Sequence, residues 1–158
     1  MESAVIAAWL HDVGYIAGDT NHEQKAADQS KDLLLSWGAS HRKIMEVSEA
    51  ILATKIPQQP KSLIGKVLCD ADLFHLSTEE CIAQSDKLRE EWEAVGQKSM
   101  SDEEWLKNNL SFLENHRYHT PYGRAVLQIG KKKKHQKNQE TDYARNKQKK
   151  NIINSRMN

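Results

Sequence analysis

The run Ala4-Val5-Ile6-Ala7-Ala8-Trp9-Leu10 is apolar without a polar face, and it ends abruptly on His11-Asp12. It predicts a buried first helix over about Glu2–Val13, stopped by Gly14. A second helix starts near Asn21, carries Ala26, Ala27, Leu33, Leu34 and Trp37, and ends at Gly38. Ser40 can cap a third, in which Ile44, Val47, Ile51 and Leu52 recur at i, i+3, i+7 and i+8. Pro57 and Pro60 bracket the following loop, and a fourth helix opens at Pro60 or Lys61 and runs through Leu76. Ser77-Thr78-Glu79-Glu80 fits a capping box for a fifth helix reaching about Gln97. Ser101-x-x-Glu104 is a second such box, opening a sixth with Trp105, Leu106, Leu110, Phe112 and Leu113. Thr120-Pro121 pairs an N-cap with proline at the first helical position and opens a seventh, amphipathic to Ile129. Sustained period-2 alternation and Asn-Gly or Asp-Gly hairpin turns are missing from the sequence. The pattern predicts an all-α bundle of about six to seven helices, without internal repeats.

Charge then divides the chain. The 158 residues carry a net charge of only +1, but residues 131–158 hold ten Lys/Arg against two Asp/Glu, and residues 1–130 hold 13 against 20. An acidic helical body over 1–130 is therefore followed by a basic tail or linker over 131–158. A mean hydropathy of −0.77 fits a body plus a solvated tail. Cys69 and Cys81 have no CxxC spacing and sit in helical patterns, so reduced, buried thiols of a cytoplasmic protein are expected. The apolar start lacks a basic n-region and a small-residue cleavage site, and no run approaches the ~18–20 apolar residues of a membrane span.

The chemistry lies where apolar runs end on acids. An ionised carboxylate brought to a core is costly unless it is paired, hydrogen-bonded or bound to a metal. His11-Asp12 ends one such run, and Leu63-Ile64-Gly65-Lys66-Val67-Leu68-Cys69 ends on Asp70-Ala71-Asp72. Two acid-tipped segments predict one shared site for a divalent metal ion, and imidazole with carboxylate does not choose among Mn, Fe, Co, Ni, Zn and Mg. Residues two apart on a helix point about 200° apart, so Asp70 and Asp72 cannot share a face. Asp70 has Lys66 four residues before it, as an exposed pair would, whereas Asp72 lies on the stripe of Leu68, Ala71 and His75. Asp72 is the expected ligand, with Asp70 in a supporting or surface position.

At these residues the chain resembles the HD superfamily of metal-dependent phosphohydrolases. Ala8-Trp9-Leu10-His11-Asp12-Val13-Gly14-Tyr15 is similar to the family's AxLLHDIGY stretch, Asn21-His22-Glu23 to its NHE segment, and Leu68–Leu73 to the segment with its last metal-binding aspartate. The likeness covers roughly residues 4–90. It implies an HD-type bundle in which His11, Asp12 and Asp72 hold the metal, a bound water attacks a nucleotide or related phosphate ester, and cofactor and substrate are small. The family's first metal-binding histidine belongs to a helix well upstream of the HD pair, and only ten residues precede His11. The resemblance therefore implies an N-terminally incomplete domain, or a degenerate, non-catalytic module for nucleotide sensing or partner binding, or a local substitute ligand, for which His75, three residues from Asp72, and His22 are the candidates.

His22, in a first helical turn, and Lys55, just after the third helix, are the candidates to assist a phosphate, the one by donating a proton and the other by neutralising charge. Arg89 reads as half of an i,i+4 pair with Glu93. The basic tail would attract nucleic-acid phosphates at low salt, but Tyr143 is its only aromatic residue, so a solvated helix end or linker is the simpler reading. Trp105–Gly130 resembles the helices that follow the HD core in larger bacterial proteins with a membrane-bound C-terminal half. That likeness implies the soluble part of a membrane-associated protein.

Overall fold

In the computed structural model, residues 2–17, 21–94 and 100–133 are described, and all the regular structure among them is helical. The elements are α1 (Glu2–Leu10), a 3-10 turn (Val13–Ala17), α2 (His22–Ser36), α3 (His41–Leu52), α4 (Leu63–Asp72), a 3-10 turn (Phe74–Ser77), α5 (Cys81–Ala94), α6 (Asp102–Asn115) and a π-helical turn (Gly123–Leu127). They divide into two compact units, Met1–Phe74 with Tyr118–Arg124, and His75–Arg117 with the described residues from Ala125 onward. The predicted all-α bundle is the observed fold.

The first unit packs α1 to α4 around Ala7, Ala26, Ala27, Leu34, Ile44, Val47, Ala50, Ile51 and Leu68. Alanines on α1, α2 and α3 supply small side chains that let these helices approach closely. Ser3 Oγ donates to Glu46 Oε2 at 2.7 Å, and Lys43 Nζ pairs with Glu2 Oε2 at 3.0 Å, joining α1 to α3. Contrary to expectation α1 is not buried throughout: Ser3 and Ala7 face the core, while Val5 and Trp9 are exposed, Trp9 by 81%.

Several boundaries follow the caps. Ser40 Oγ accepts from Lys43 N, and Gly38 at φ 71° closes α2 with Gly38 N donating to Leu35 O and Ala39 N to Leu34 O. Both ends of α4 differ from the sequence reading. Ser62, rather than Pro60 or Lys61, caps α4, its Oγ accepting from Gly65 N at 3.0 Å. At its other end α4 stops at Asp72, four residues short of Leu76, and Tyr118 Oη donates to the Leu73 carbonyl at 2.9 Å. A tyrosine distant in sequence thus takes an acceptor that a continuing helix would use.

In the second unit Ser101 and Glu104 form the expected capping box of α6. Thr78 Oγ1 accepts from Glu80 N before α5, which is described as far as Ala94; the predicted end near Gln97 lies outside the described residues. Trp92 and Trp105 meet edge-on at 5.5 Å, and Arg89 bonds Glu93, Asp102 and the Met100 carbonyl. Lys131 departs from the tail reading, being buried with Nζ donating to Leu113 O at 2.8 Å and His116 O at 2.5 Å. It caps the carbonyl end of α6, where a helix dipole favours a cation. The rest of the predicted tail, from residue 134, lies outside the described residues, as does any nucleic-acid contact through it.

Candidate metal centre

The segments that place His11, Asp12, His22, Lys55 and Asp72 all belong to the first unit. At the end of α1 the His11 ring turns back so that Nδ1 lies 2.9 Å from the Ala8 carbonyl. That contact makes Nδ1 the donor and aims Nε2 away from the helix, an orientation typical of metal-binding histidines. Nε2 stands 3.1 Å from Asp12 Oδ2 and 3.6 Å from Asp72 Oδ1. The HD turn and the end of α4, separated by some sixty residues, therefore bring together the three expected ligands.

Gly14 makes this turn possible by proximity. A methyl group there would lie 2.0 Å from the His22 carbonyl oxygen and 2.8 Å from Ala26 N, so the chain after Asp12 rests directly on the α2 backbone. The role read from the sequence, stopping α1, belongs instead to the turn at His11-Asp12, before Gly14 is reached.

Asn21 precedes α2 in the left-handed region, φ 54° and ψ 40°, and makes no side-chain cap. Its Oδ1 accepts from Lys55 Nζ at 3.2 Å, so the start of α2 holds an ammonium from the loop after α3. His22 stacks on Tyr15 with centroids 3.9 Å apart, and its Nε2 is 3.4 Å from Oε1 of the buried Glu23. Lys55 lines an open groove of about 280 Å³ with Leu52, Ala53, Ile56, Pro57 and Gln59.

The electrostatics are those of an imidazolium between two carboxylates. Hydrogen bonds to Asp12 and then Asp72 push the His11 pKa up from 6.5 to about 10, against the opposing effect of burial. The His11 hydrogen bond, with the charges of His11 and His22, holds Asp12 below the usual carboxylate range. In this ion-paired arrangement no group of three or more His, Cys, Asp and Glu among the described residues is set to hold a metal ion. The donors nevertheless fit one in kind: a nitrogen with its second ring position anchored, and two carboxylates from separate helices.

The remaining expectations are corrected. Asp70 is not a surface residue; at 5% exposure it is deeper than Asp72, whose side chain is 26% exposed. Its carboxylate accepts from His119 N at 2.7 Å, Thr120 N at 2.9 Å and Thr120 Oγ1 at 2.6 Å, fastening the 118–124 segment to α4. Lys66 gives no clue to those donors, which come from a segment fifty residues later. His75 does not share a helical face with Asp72, because α4 has ended and His75 lies in the 3-10 turn.

Sequence reasoning missed Gln58. Its Nε2 donates to Asp72 Oδ2 at 3.2 Å. A lone polar residue in a proline-bracketed loop carries no periodic signal, so only the fold brings it to notice.

Cys69 Sγ donates to Ala53 O at 3.1 Å, burial pushes its pKa up to about 12, and both cysteines are free and buried. Among the described residues no helix is long and apolar enough to cross a membrane. Comparisons with protein-family models, curated proteins and solved structures give no match to this chain.

Proposed function

We propose that the first unit binds a divalent cation through His11, Asp12 and Asp72 and hydrolyses a phosphate ester of the nucleotide class or a related one. The convergence of these three side chains within 3.1 and 3.6 Å, from ends of two different helices, carries the reading. Its family context is the ordered resemblance to HD phosphohydrolases. A cation held there supplies a Lewis acid for phosphoryl oxygens and lowers the pKa of a bound water.

The chain's own residues have separate tasks. Ala8 O fixes the His11 ring so that Nε2 serves the site, and Nε2 gives up its proton when a cation replaces it. Lys55, held by Asn21, brings positive charge to the phosphate beside a groove of mixed polar and apolar lining. His22, oriented by Tyr15 and Glu23, donates a proton to the leaving oxygen. The buried, free thiols suit a reducing cytoplasm.

One observation favours a second reading. The His11 imidazolium already satisfies both carboxylates, which suits a non-catalytic module that senses a nucleotide or engages a partner. A panel of phosphomonoesters, cyclic nucleotides and nucleoside triphosphates, assayed with Mn²⁺, Fe²⁺, Co²⁺, Ni²⁺, Zn²⁺ and Mg²⁺, separates the two. The enzyme reading expects metal-dependent hydrolysis that Asp12→Ala abolishes. Nucleotide binding without turnover selects the module, and neither binding nor turnover rejects both.

A further inference from the structure

Asp70 and Asp72 leave α4 about 200° apart, so while Asp72 faces His11 the Asp70 carboxylate lies on the opposite side of the helix. Asp72 is lightly held: Oδ1 stands 3.6 Å from His11 Nε2, and Oδ2 accepts from Gln58 Nε2 at 3.2 Å. Asp70 is buried and accepts three shorter bonds, from His119 N at 2.7 Å, Thr120 N at 2.9 Å and Thr120 Oγ1 at 2.6 Å. Thr120 Oγ1 in turn accepts from Gly123 N at 2.9 Å, and a methyl group on Gly123 would lie 2.2 Å from Asp70 Oδ2, so the segment closes tightly over the carboxylate. One residue beyond Asp72, Tyr118 Oη donates to the Leu73 carbonyl at 2.9 Å. The Tyr118–Arg124 segment, part of the same unit, thus grips α4 both before and after Asp72. Mechanically, one side of the helix depends on the other. A helical side chain ends about 5 Å from the axis, so a roll of α4 by about 10° carries each carboxylate about 1 Å. Such a roll takes Asp72 away from His11 only by stretching the bonds at Asp70 to the limit of hydrogen bonding. Bonds to a charged acceptor are roughly twice as strong as neutral ones, and three of them on a buried carboxylate set the rotation.

We infer that Asp70, Thr120 and Tyr118 are positioning residues of the candidate centre: the Tyr118–Arg124 segment fixes the rotation of α4 and so keeps Asp72 turned toward His11. In its bearing on activity the inference rests on the reading of His11, Asp12 and Asp72 as a cation site, whereas the positioning itself needs no cation.

The test measures how strongly His11 and Asp72 are coupled. Urea denaturation of the full chain as wild type, His11→Gln, Asp72→Asn and the double variant gives that coupling, and the cycle is repeated with Thr120→Val and with Thr120→Ser. Thr120→Val removes the hydroxyl that joins Asp70 to Gly123 but keeps the backbone N–H bond; Thr120→Ser keeps both. The coupling is expected to be lost in the Thr120→Val background and retained with Thr120→Ser. A change that only weakens the fold lowers stability and leaves the coupling at its wild-type value, and that result overturns the inference. Loss of coupling in Thr120→Ser as well, or no coupling in wild type, overturns it too. Tyr118→Phe removes a single hydroxyl and is read the same way if Thr120→Val does not fold: unchanged coupling there contradicts the inference. Titration with Mn²⁺ separates this inference from the cation reading. Thr120→Val should bind Mn²⁺ about tenfold more weakly than wild type, the usual effect of losing a group that orients a ligand, and Thr120→Ser should match wild type. Equal affinity in Thr120→Val overturns the positioning role and leaves the cation site standing. If folded wild type binds no Mn²⁺, the cation reading falls and the coupling cycle alone decides the positioning.

Discussion

His11 shows how much a single side chain settles here. Its pKa, raised to about 10, means the folded state holds a proton that the unfolded chain releases near 6.5. The stabilisation is therefore complete below about pH 6.5 and is lost as pH rises through about 10. Chemical denaturation of wild type and His11→Gln across that range should show the wild-type advantage shrinking steadily; a gap independent of pH contradicts the ion-paired state. Asp70 makes a different kind of prediction. Asp70→Ala strands the buried Thr120 N–H, the part-buried His119 N–H and the Thr120 hydroxyl, at a cost of about 3 kcal/mol. Urea denaturation measures it, and a loss below about 1 kcal/mol would show that the 118–124 segment is not held this way.

Among the elements, the boundaries written in local chemistry were legible and those set by distant contacts were not. Ser40, the Ser101–Glu104 box and Thr120, whose Oγ1 accepts from Gly123 N at 2.9 Å, can be read from a few adjacent residues. The early end of α4 cannot, because the Leu73 carbonyl is claimed by Tyr118. Of the site, His11, Asp12 and Asp72 were legible as acids at the ends of apolar runs. Asp70 and Gln58 were not, since their partners are chosen by the fold rather than by spacing. Gly14 was seen as a helix stop and proves to be a contact surface for α2. Gly14→Ala should therefore cost about 3 kcal/mol, the upper end of overpacking penalties, and tilt the HD turn away from α2. A thermal melt checks the first part, and retention of wild-type stability contradicts it.

For the whole molecule, the division of charge at residue 131 was drawn from composition, and the structure moves it. Lys131 belongs to the folded second unit, and burial, with the charges of Arg117 and Lys132, lowers its pKa from 10.5 to about 8. The cost of burying its charge is full below about pH 8 and disappears as pH approaches 10.5, the reverse of the His11 trend. Relative to Lys131→Met, wild type should gain stability between those values; a flat difference would mean that the ammonium is not buried. The two residues thus give each unit its own pH signature, readable in separate variants of one chain.

The central claim is that His11, Asp12 and Asp72 exchange their shared proton for a divalent cation. Titration of the full chain with Mn²⁺ near neutral pH, in two buffers of different ionisation enthalpy, reads stoichiometry and proton release together. The account predicts about one cation per chain, about one proton released on binding, and loss of both in Asp12→Ala. Binding unchanged by Asp12→Ala, or no binding by folded wild type, contradicts it.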